Sequence, residues 1–378
     1  MEWKLYYTLY LLIIKIFYIE AAKKETLIFV TSVWRHGDRS PTKLIYKNDI
    51  HTEDTWENGW GQLTEKGKTQ LMHLGQWFKK RYVNTFVNET YKSKEVYIMS
   101  SDSERALTSA QAFAFGMYPK LENVFSELPA QVVPIHAPSY ESNDPLLKGY
   151  KYKCPCYDKK LKRINNDLYN NLKTKYSDVF PFLKTVTNSK DDLPLKKVGD
   201  ICNVETEIAY NMVQPDWMFQ TWNQYKNKTT FDIVCEIKDN FRLSDFKNLE
   251  LGKLRGGLLL NVWLKNMKQI IENPNEPHKK MILYSAHAET LLPLMSSLRM
   301  HPNEFVPYAT ALVLELYKYK DEHFVRLFYK VNSHSVKYLE IPKCKSLCRF
   351  STFYKLYYDK SYSSVELLNK ECYSESCN

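Results

Sequence analysis

The stretch SVWRHGDRSPT, Ser32 to Thr42, sets Arg35, His36, Asp38 and Arg39 side by side at the end of an apolar run. Guanidinium forks match the oxygens of a phosphate and stay charged at any working pH. An imidazole placed among such cations resists protonation, so its lone pair remains available in mildly acidic solution. The combination suits a histidine that attacks a phosphoryl group held by arginines. Gly37 would let the backbone come close to the bound phosphate, and Pro41 would set the turn out of the site. Asp38 reads as a structural member that bonds its own loop.

Two further stretches carry chemistry of the same kind. SSDSERALTSA places Arg105 at the start of a helix, and YSAHAETLLPLM places His287 and Glu289 at the start of another. His51, His73, His136 and His301 have no supporting constellation, and Trp56, Trp60 and Trp77 read as packing around the first helix.

Strands must bring these residues together. TLIFVTSVW, from Thr26 to Trp34, is rich in β-formers and bounded by charge, as a buried strand is. After a polar loop, Thr64 is placed to cap a helix in which Leu71, Leu74, Phe78 and Tyr82 recur at helical spacing. Val96 to Met99 reads as a strand, and Ala106 to Phe115 as a helix ending at Gly116. KLRGGLLLNVWLKNMKQII predicts a helix from about Gly256 to Ile271. Met281 to Ser285 is a strand followed by a tight loop and a helix from about Glu289, and ATALVLELYKY with FVRLFYKVN forms a late hairpin. Arg35 and His36, Arg105, and His287 with Glu289 thus each lie just past a strand. In open α/β sheets ligands gather outside the carboxyl ends of the strands, so residues far apart in sequence are candidates to meet there.

The chain has 378 residues, 44% hydrophobic and 25% charged, which suffices for one large domain or a domain with a sizeable insertion. Its excess of +10 comes from scattered lysines and arginines. A nucleic-acid groove would show a basic stripe with interleaved aromatics, which is absent, whereas a positive surplus suits acidic substrates. The apolar run Leu5–Ile14, led by Lys4 and followed by Ala21 and Ala22, reads as a signal peptide over residues 1–22 and is short for a membrane span. Eight cysteines in an exported chain most simply form four disulfides. Cys344 and Cys348 could close a small loop, and a bridge from Cys154 or Cys156 to Cys372 or Cys377 could pin the tail. The CPC triplet lacks zinc-ligand spacing, so no metal is expected. Asn88 and Asn227 head glycosylation sequons if the chain is secreted. From 128 to 252 lysine, asparagine and tyrosine dominate, and amphipathic helical segments such as DKKLKRINNDLYNNL replace strand signals. This reads as a helical insertion that divides an α/β domain made of 23–127 and 253–378.

RHGDRSPT, GWGQLTEKGKTQLMHLGQWFKKRY, SSDSERALTSAQAF, KLRGGLLL and YSAHAETLLPLM occur in this order between about Thr26 and Cys348. Together they resemble the histidine acid phosphatases, the secreted, lysosomal and prostatic animal enzymes of the phosphoglycerate-mutase-like superfamily. The resemblance implies an α/β fold with a central, mainly parallel sheet flanked by helices and a smaller, mostly helical domain inserted mid-chain. It implies hydrolysis of phosphate monoesters through a phosphohistidine on His36, without a cofactor. Arg35, Arg39 and Arg105 would clamp the phosphate, and His287 would stabilise the transferring oxygens. Most such enzymes carry an aspartate directly after the second histidine as general acid. Here Ala288 takes that place, and Glu289 is the expected proton donor. At a helix start the dipole favours its ionised form, whereas a bound phosphate dianion favours the protonated one. The His-Ala-Glu triplet is similar to that of multiple inositol polyphosphate phosphatases. An inositol-polyphosphate phosphatase is therefore the alternative substrate class, and a weakly active secreted binding protein on the same fold a further one. The signal-like segment and the cysteines imply secretion, or else a lysosomal location, with no membrane association after signal removal; the scattered charge implies no nucleic-acid partner; and the resemblance implies a homodimer.

Overall fold

A computed structural model describes residues 25–122, 127–244, 246–300, 305–331, 335–344 and 347–377; the signal-like segment 1–22 and His301 lie outside the described residues. Chain order begins with β1 (Thr26–Arg35), α1 (Glu65–Tyr82), β2 (Val96–Ser100) and α2 (Glu104–Met117). The mid-chain region carries α3 (Pro155–Lys175), α4 (Val179–Val186), α5 (Leu195–Ile201) and α6 (Val204–Ala209). A ribbon of β3 (Thr221–Trp222) and β4 (Lys228–Thr229) follows, then α7 (Thr230–Ser244). The chain returns through α8 (Leu249–Glu272), β5 (Met281–Ala286), α9 (Ala288–Ser297), β6 (Ala311–Tyr319), β7 (Glu322–Val331) and β8 (Ser335–Tyr338). It closes with β9 (Cys348–Arg349), α10 (Phe350–Tyr357) and α11 (Val365–Cys372).

The main sheet has the order β2-β5-β1-β6-β7-β8, with β9 pairing β7. β2, β5 and β1 run parallel, and the late hairpin β6–β7 continues the sheet antiparallel from β1. The sheet is therefore mixed, with parallel strands at its functional centre. β1 is buried from Phe29 through Trp34, because helices cover both its faces, which is why it reads as an unbroken apolar run. On one face Leu71, Phe78, Phe113 and Met117 of α1 and α2 pack on Val30, Trp34 and Ile98. On the other, Leu260, Trp263, Leu291 and Leu294 of α8 and α9 pack on Phe29, Val33 and Tyr284.

Thr64 caps α1 as expected, its Oγ1 accepting from Gly67 N at 3.1 Å. α2 runs through Gly116 to Met117, so this glycine does not end the helix. It serves a close crossing instead: a Cβ on Gly116 would lie 2.0 Å from Met72 O of α1, and one on Gly75 2.0 Å from Phe113 O of α2. Gly116→Ala should therefore force the helices apart and cost about 1–3 kcal/mol, as overpacking does. Urea unfolding checks this, and an unchanged midpoint would contradict it.

Helix α8 starts earlier than the spacing predicts, because Asn248 caps it by accepting from Glu250 N and Leu251 N. It runs unbroken across 252/253, the expected domain boundary. The mid-chain helices share a core of Leu172, Val179, Leu183, Val198, Ile233 and Ile237, joined by Ile45 and Tyr46 from the β1–α1 loop. Disulfides link Cys154–Cys372, Cys156–Cys377, Cys202–Cys235 and Cys344–Cys348, so two bridges hold the tail to α3. The three tryptophans do not cluster. Trp77 packs on Phe78 and Phe328, Trp56 meets Tyr210 of the insertion, and Trp60 lines a separate opening beside Thr42. Among the described residues no helix is long and apolar enough to cross a membrane.

Candidate active site

The parallel register fixes where the chemistry collects. Arg35 pairs with Ala286, and Ser100 with Ser285, so β1, β2 and β5 end at one level. Beyond them His36 N donates to Ala286 O at 3.0 Å, and Ser101 N donates to Ser285 O at 3.0 Å. The loop after β1 is pinned to α2 by Gly37 N, which donates to Ser109 Oγ at 3.2 Å. Gly37 also has a packing role. A Cβ there would lie 2.3 Å from Gly67 O, so the glycine lets this loop lie against the first turn of α1. Asp38 is buried and structural: its Oδ2 accepts from Thr64 Oγ1, at the end of its own loop, at 2.8 Å, and from the more distant Tyr210 OH at 3.2 Å, which joins this loop, the start of α1 and the mid-chain region.

His36 is 4% exposed. Burial, then Arg35, His287, Arg105 and Arg39, hold its imidazole well below the usual range, so the ring is neutral. Its Nδ1 lies 2.9 Å from Gly37 O. A carbonyl can only accept, so Nδ1 carries the proton and the Nε2 lone pair is free. Arg35, Arg39 and Arg105 stand around it. Arg35 donates through Nη1 to Val306 O at 2.6 Å and stacks on the Tyr308 ring, 3.8 Å from its centroid. Arg39 donates to Ser40 O at 2.7 Å. The Nε atoms of all three arginines are buried and have no hydrogen-bond partner. All three line one cavity with His36 and Glu289.

His287 is held one layer back. It is 1% exposed, its Nε2 meets Ser101 Oγ at 2.8 Å, and Arg105 Nη2 donates to its Nδ1 at 3.4 Å. Burial, then Arg105, Lys148, Arg39 and Lys151, push this imidazole well below its usual range as well. Its ring centroid is 5.5 Å from that of His36. It therefore touches the cradle through Arg105.

Glu289, in the first turn of α9, receives a hydrogen bond from Arg242 Nη1 at 2.9 Å. Burial alone would raise its carboxyl, but Arg242, its own backbone N–H, Arg35 and Arg39 outweigh burial and hold it below the usual range. In the free protein Glu289 is ionised. Arg242 comes from α7, in the mid-chain region, and no local pattern in the sequence marks it. Tyr150 and Tyr308, which also line the cavity, carry no signal of their own either. The assembly is a concave cationic cradle with a neutral imidazole at its floor and the Glu289 carboxylate beside it.

The chain is 32% identical to the lysosomal acid phosphatase of Xenopus laevis, over 89% of this chain and 77% of that protein. It is 31% identical to the prostatic acid phosphatase of Mus musculus, over 89% of this chain and 87% of that protein. Among solved structures, the phytase of Klebsiella sp. ASR1 superposes with a TM-score of 0.67 at 15% identity, covering 91% of this chain and 99% of that one, and so shares its fold. The model of the histidine phosphatase superfamily (branch 2) matches residues 26–330, and the chain belongs to that family.

Proposed function

We propose that the protein is an acid phosphatase that hydrolyses phosphate monoesters through a phosphohistidine on His36. The observation that carries this reading is the set of three buried arginine Nε donors without partners around a buried, neutral imidazole. Buried donors left unsatisfied are costly, and a phosphate supplies the acceptors they lack.

In the first step His36 Nε2 attacks phosphorus, the bond from phosphorus to the ester oxygen breaks, and the leaving oxygen takes a proton from Glu289. Charge on the equatorial oxygens is met by the three guanidinium groups. His287 acts through Arg105, whose Nη2 it holds. In the second step water attacks phosphorus and gives its proton to Glu289, the N–P bond breaks, and phosphate leaves with His36 neutral again.

Glu289 is ionised in the free protein, so its first proton must come with the substrate. A phosphate monoester loses its second proton near pH ~6. Below that, the bound monoanion can pass this proton to Glu289, which then delivers it to the leaving oxygen. The pH profile of kcat/KM follows. Its acid limb reflects protonation of His36 and lies well below the ordinary histidine range, and its alkaline limb follows loss of the substrate's proton. An optimum at neutral or alkaline pH would contradict this sequence of proton transfers.

An inositol polyphosphate would need unpaired cations at the pocket mouth. Lys196, Lys238, Arg242 and Arg255 line the pocket, but the last three each already pair with an acid, Glu205 at 3.0 Å, Glu289 at 2.9 Å and Asp158 at 3.6 Å, which among the described residues leaves Lys196 alone for a second phosphate. A simple monoester is therefore the favoured substrate. Phosphate release from p-nitrophenyl phosphate and from inositol hexakisphosphate, measured from acidic to neutral pH, tests both the activity and the substrate class. No release from either would leave only a binding role. Four disulfides and two exposed sequons, at Asn88 and Asn227, support an exported compartment, secreted or lysosomal.

A further inference from the structure

Away from the cradle, three residues converge where the β1–α1 loop meets the insertion. Asp49 and His51 belong to the loop and Glu207 to α6, and one nitrogen or oxygen atom of each lies within 4.8 Å of the other two. Glu207 is fully buried and Asp49 is 7% exposed. Glu207 Oε1 and Asp49 Oδ2 have no hydrogen-bond partner. The companion oxygens are already used: Gln214 Nε2 donates to Glu207 Oε2 at 2.8 Å, and His51 N donates to Asp49 Oδ1 at 3.1 Å. His51 Nε2 lies 2.8 Å from Val213 O, so Nε2 carries the ring proton and the lone pair is on Nδ1. An imidazole oriented by a backbone carbonyl in this way is the usual state of a metal-binding histidine.

The groups that act most strongly on the two carboxylates are each other, His51 and, beside them, Tyr46, and among the described residues neither carboxylate forms an ion pair with a lysine or arginine. Two buried carboxylates side by side need a positive partner. One imidazole nitrogen and two carboxylate oxygens match the ligands of zinc, with water completing the tetrahedron. We propose that Asp49, His51 and Glu207 bind a divalent metal ion of the zinc class, which ties the β1–α1 loop to α6.

The ion is structural and stands apart from the phosphoryl chemistry. It still bears on the pocket, because the same two segments meet again nearby. Trp56 of the loop packs on Tyr210 at 5.5 Å between centroids, and Glu205, on α6, lines the cavity mouth. Holding α6 on the loop holds one wall of the substrate cavity. The competing arrangement is a proton shared between Asp49 and Glu207, in which zinc has no part.

The test uses the full chain, stripped with a chelator, re-equilibrated with zinc alone, and assayed for bound metal and thermal unfolding. Wild type should retain one equivalent of zinc, and so should His36→Ala, which shows that the catalytic histidines are not the ligands. Glu207→Gln, which keeps the side-chain shape, should lose at least about tenfold in zinc affinity. Zinc at a hundredfold excess over the wild-type Kd should raise the wild-type melting temperature by about 3 °C or more, and that of Glu207→Gln by no more than about half as much. If Glu207→Gln does not fold, Asp49→Asn and the zinc response of wild type decide the matter. Zinc held equally by wild type and the Asp49 or Glu207 variants would overturn the proposal. So would a wild-type melting temperature indifferent to zinc alongside a stabilised Glu207→Gln, the mark of a shared proton.

Discussion

His36→Ala is expected to lower kcat/KM for p-nitrophenyl phosphate by at least about 10⁴-fold while the chain stays folded. The effect is large because no other group can take over the attack. His287 is the nearest imidazole, but it lies behind Arg105 with Nε2 engaged by Ser101 Oγ. The three arginines remain in place, so inorganic phosphate should still inhibit the variant, or bind it, at concentrations close to those for wild type. That split separates loss of a nucleophile from collapse of the cradle. A variant within tenfold of wild type would remove His36 from the chemistry.

The second large effect concerns Glu289. Glu289→Gln should lower kcat by roughly 10²–10⁴-fold for an alkyl phosphate, whose leaving oxygen needs a proton. For p-nitrophenyl phosphate, which leaves as a stable phenolate, the loss from the first step should be far smaller. The glutamine can still accept from Arg242, so the local packing is preserved. Arg242→Ala offers the converse. Without that guanidinium the Glu289 carboxyl moves up and holds the proton of the enzyme–substrate complex to higher pH, so the alkaline limb of the kcat profile, which reports that complex, shifts upward. Because the slow hydrolysis step is common to both substrates, the comparison is made in kcat/KM, and equal losses of kcat/KM for good and poor leaving groups in Glu289→Gln would assign the residue to binding rather than to proton donation.

Much of this site was legible in the sequence because strand ends are local features. Arg35 and His36, Arg105, and His287 with Glu289 each follow a β-rich segment, and the parallel register of β1, β5 and β2 turns that shared position into proximity. Roles set by tertiary approach were not legible. Gly37 and Gly116 look like a ligand-facing glycine and a helix terminator, but each is required by a neighbouring backbone that only the fold brings near. Arg242 looks like any arginine on an amphipathic helix until α7 is brought against Glu289 at the start of α9. His51 likewise had no constellation in the sequence, because its partner Glu207 arrives from α6, far along the chain. The start of α8 was misplaced because Gly256 and Gly257 look like a boundary, whereas Asn248 supplies the actual cap.

The measurement that bears most directly on the central claim is rapid acid-free quenching of Glu289→Gln after mixing with p-nitrophenyl phosphate carrying a radiolabelled phosphoryl group. With an easy leaving group the first step remains fast. Hydrolysis, which needs Glu289 to take the proton of water, is slow, so the intermediate should accumulate. The account predicts one labelled phosphoryl group per active site, stable to base and lost in acid, located on His36 and absent when His36→Ala is added. Turnover without protein-bound label, or label that persists in the double variant, would contradict it.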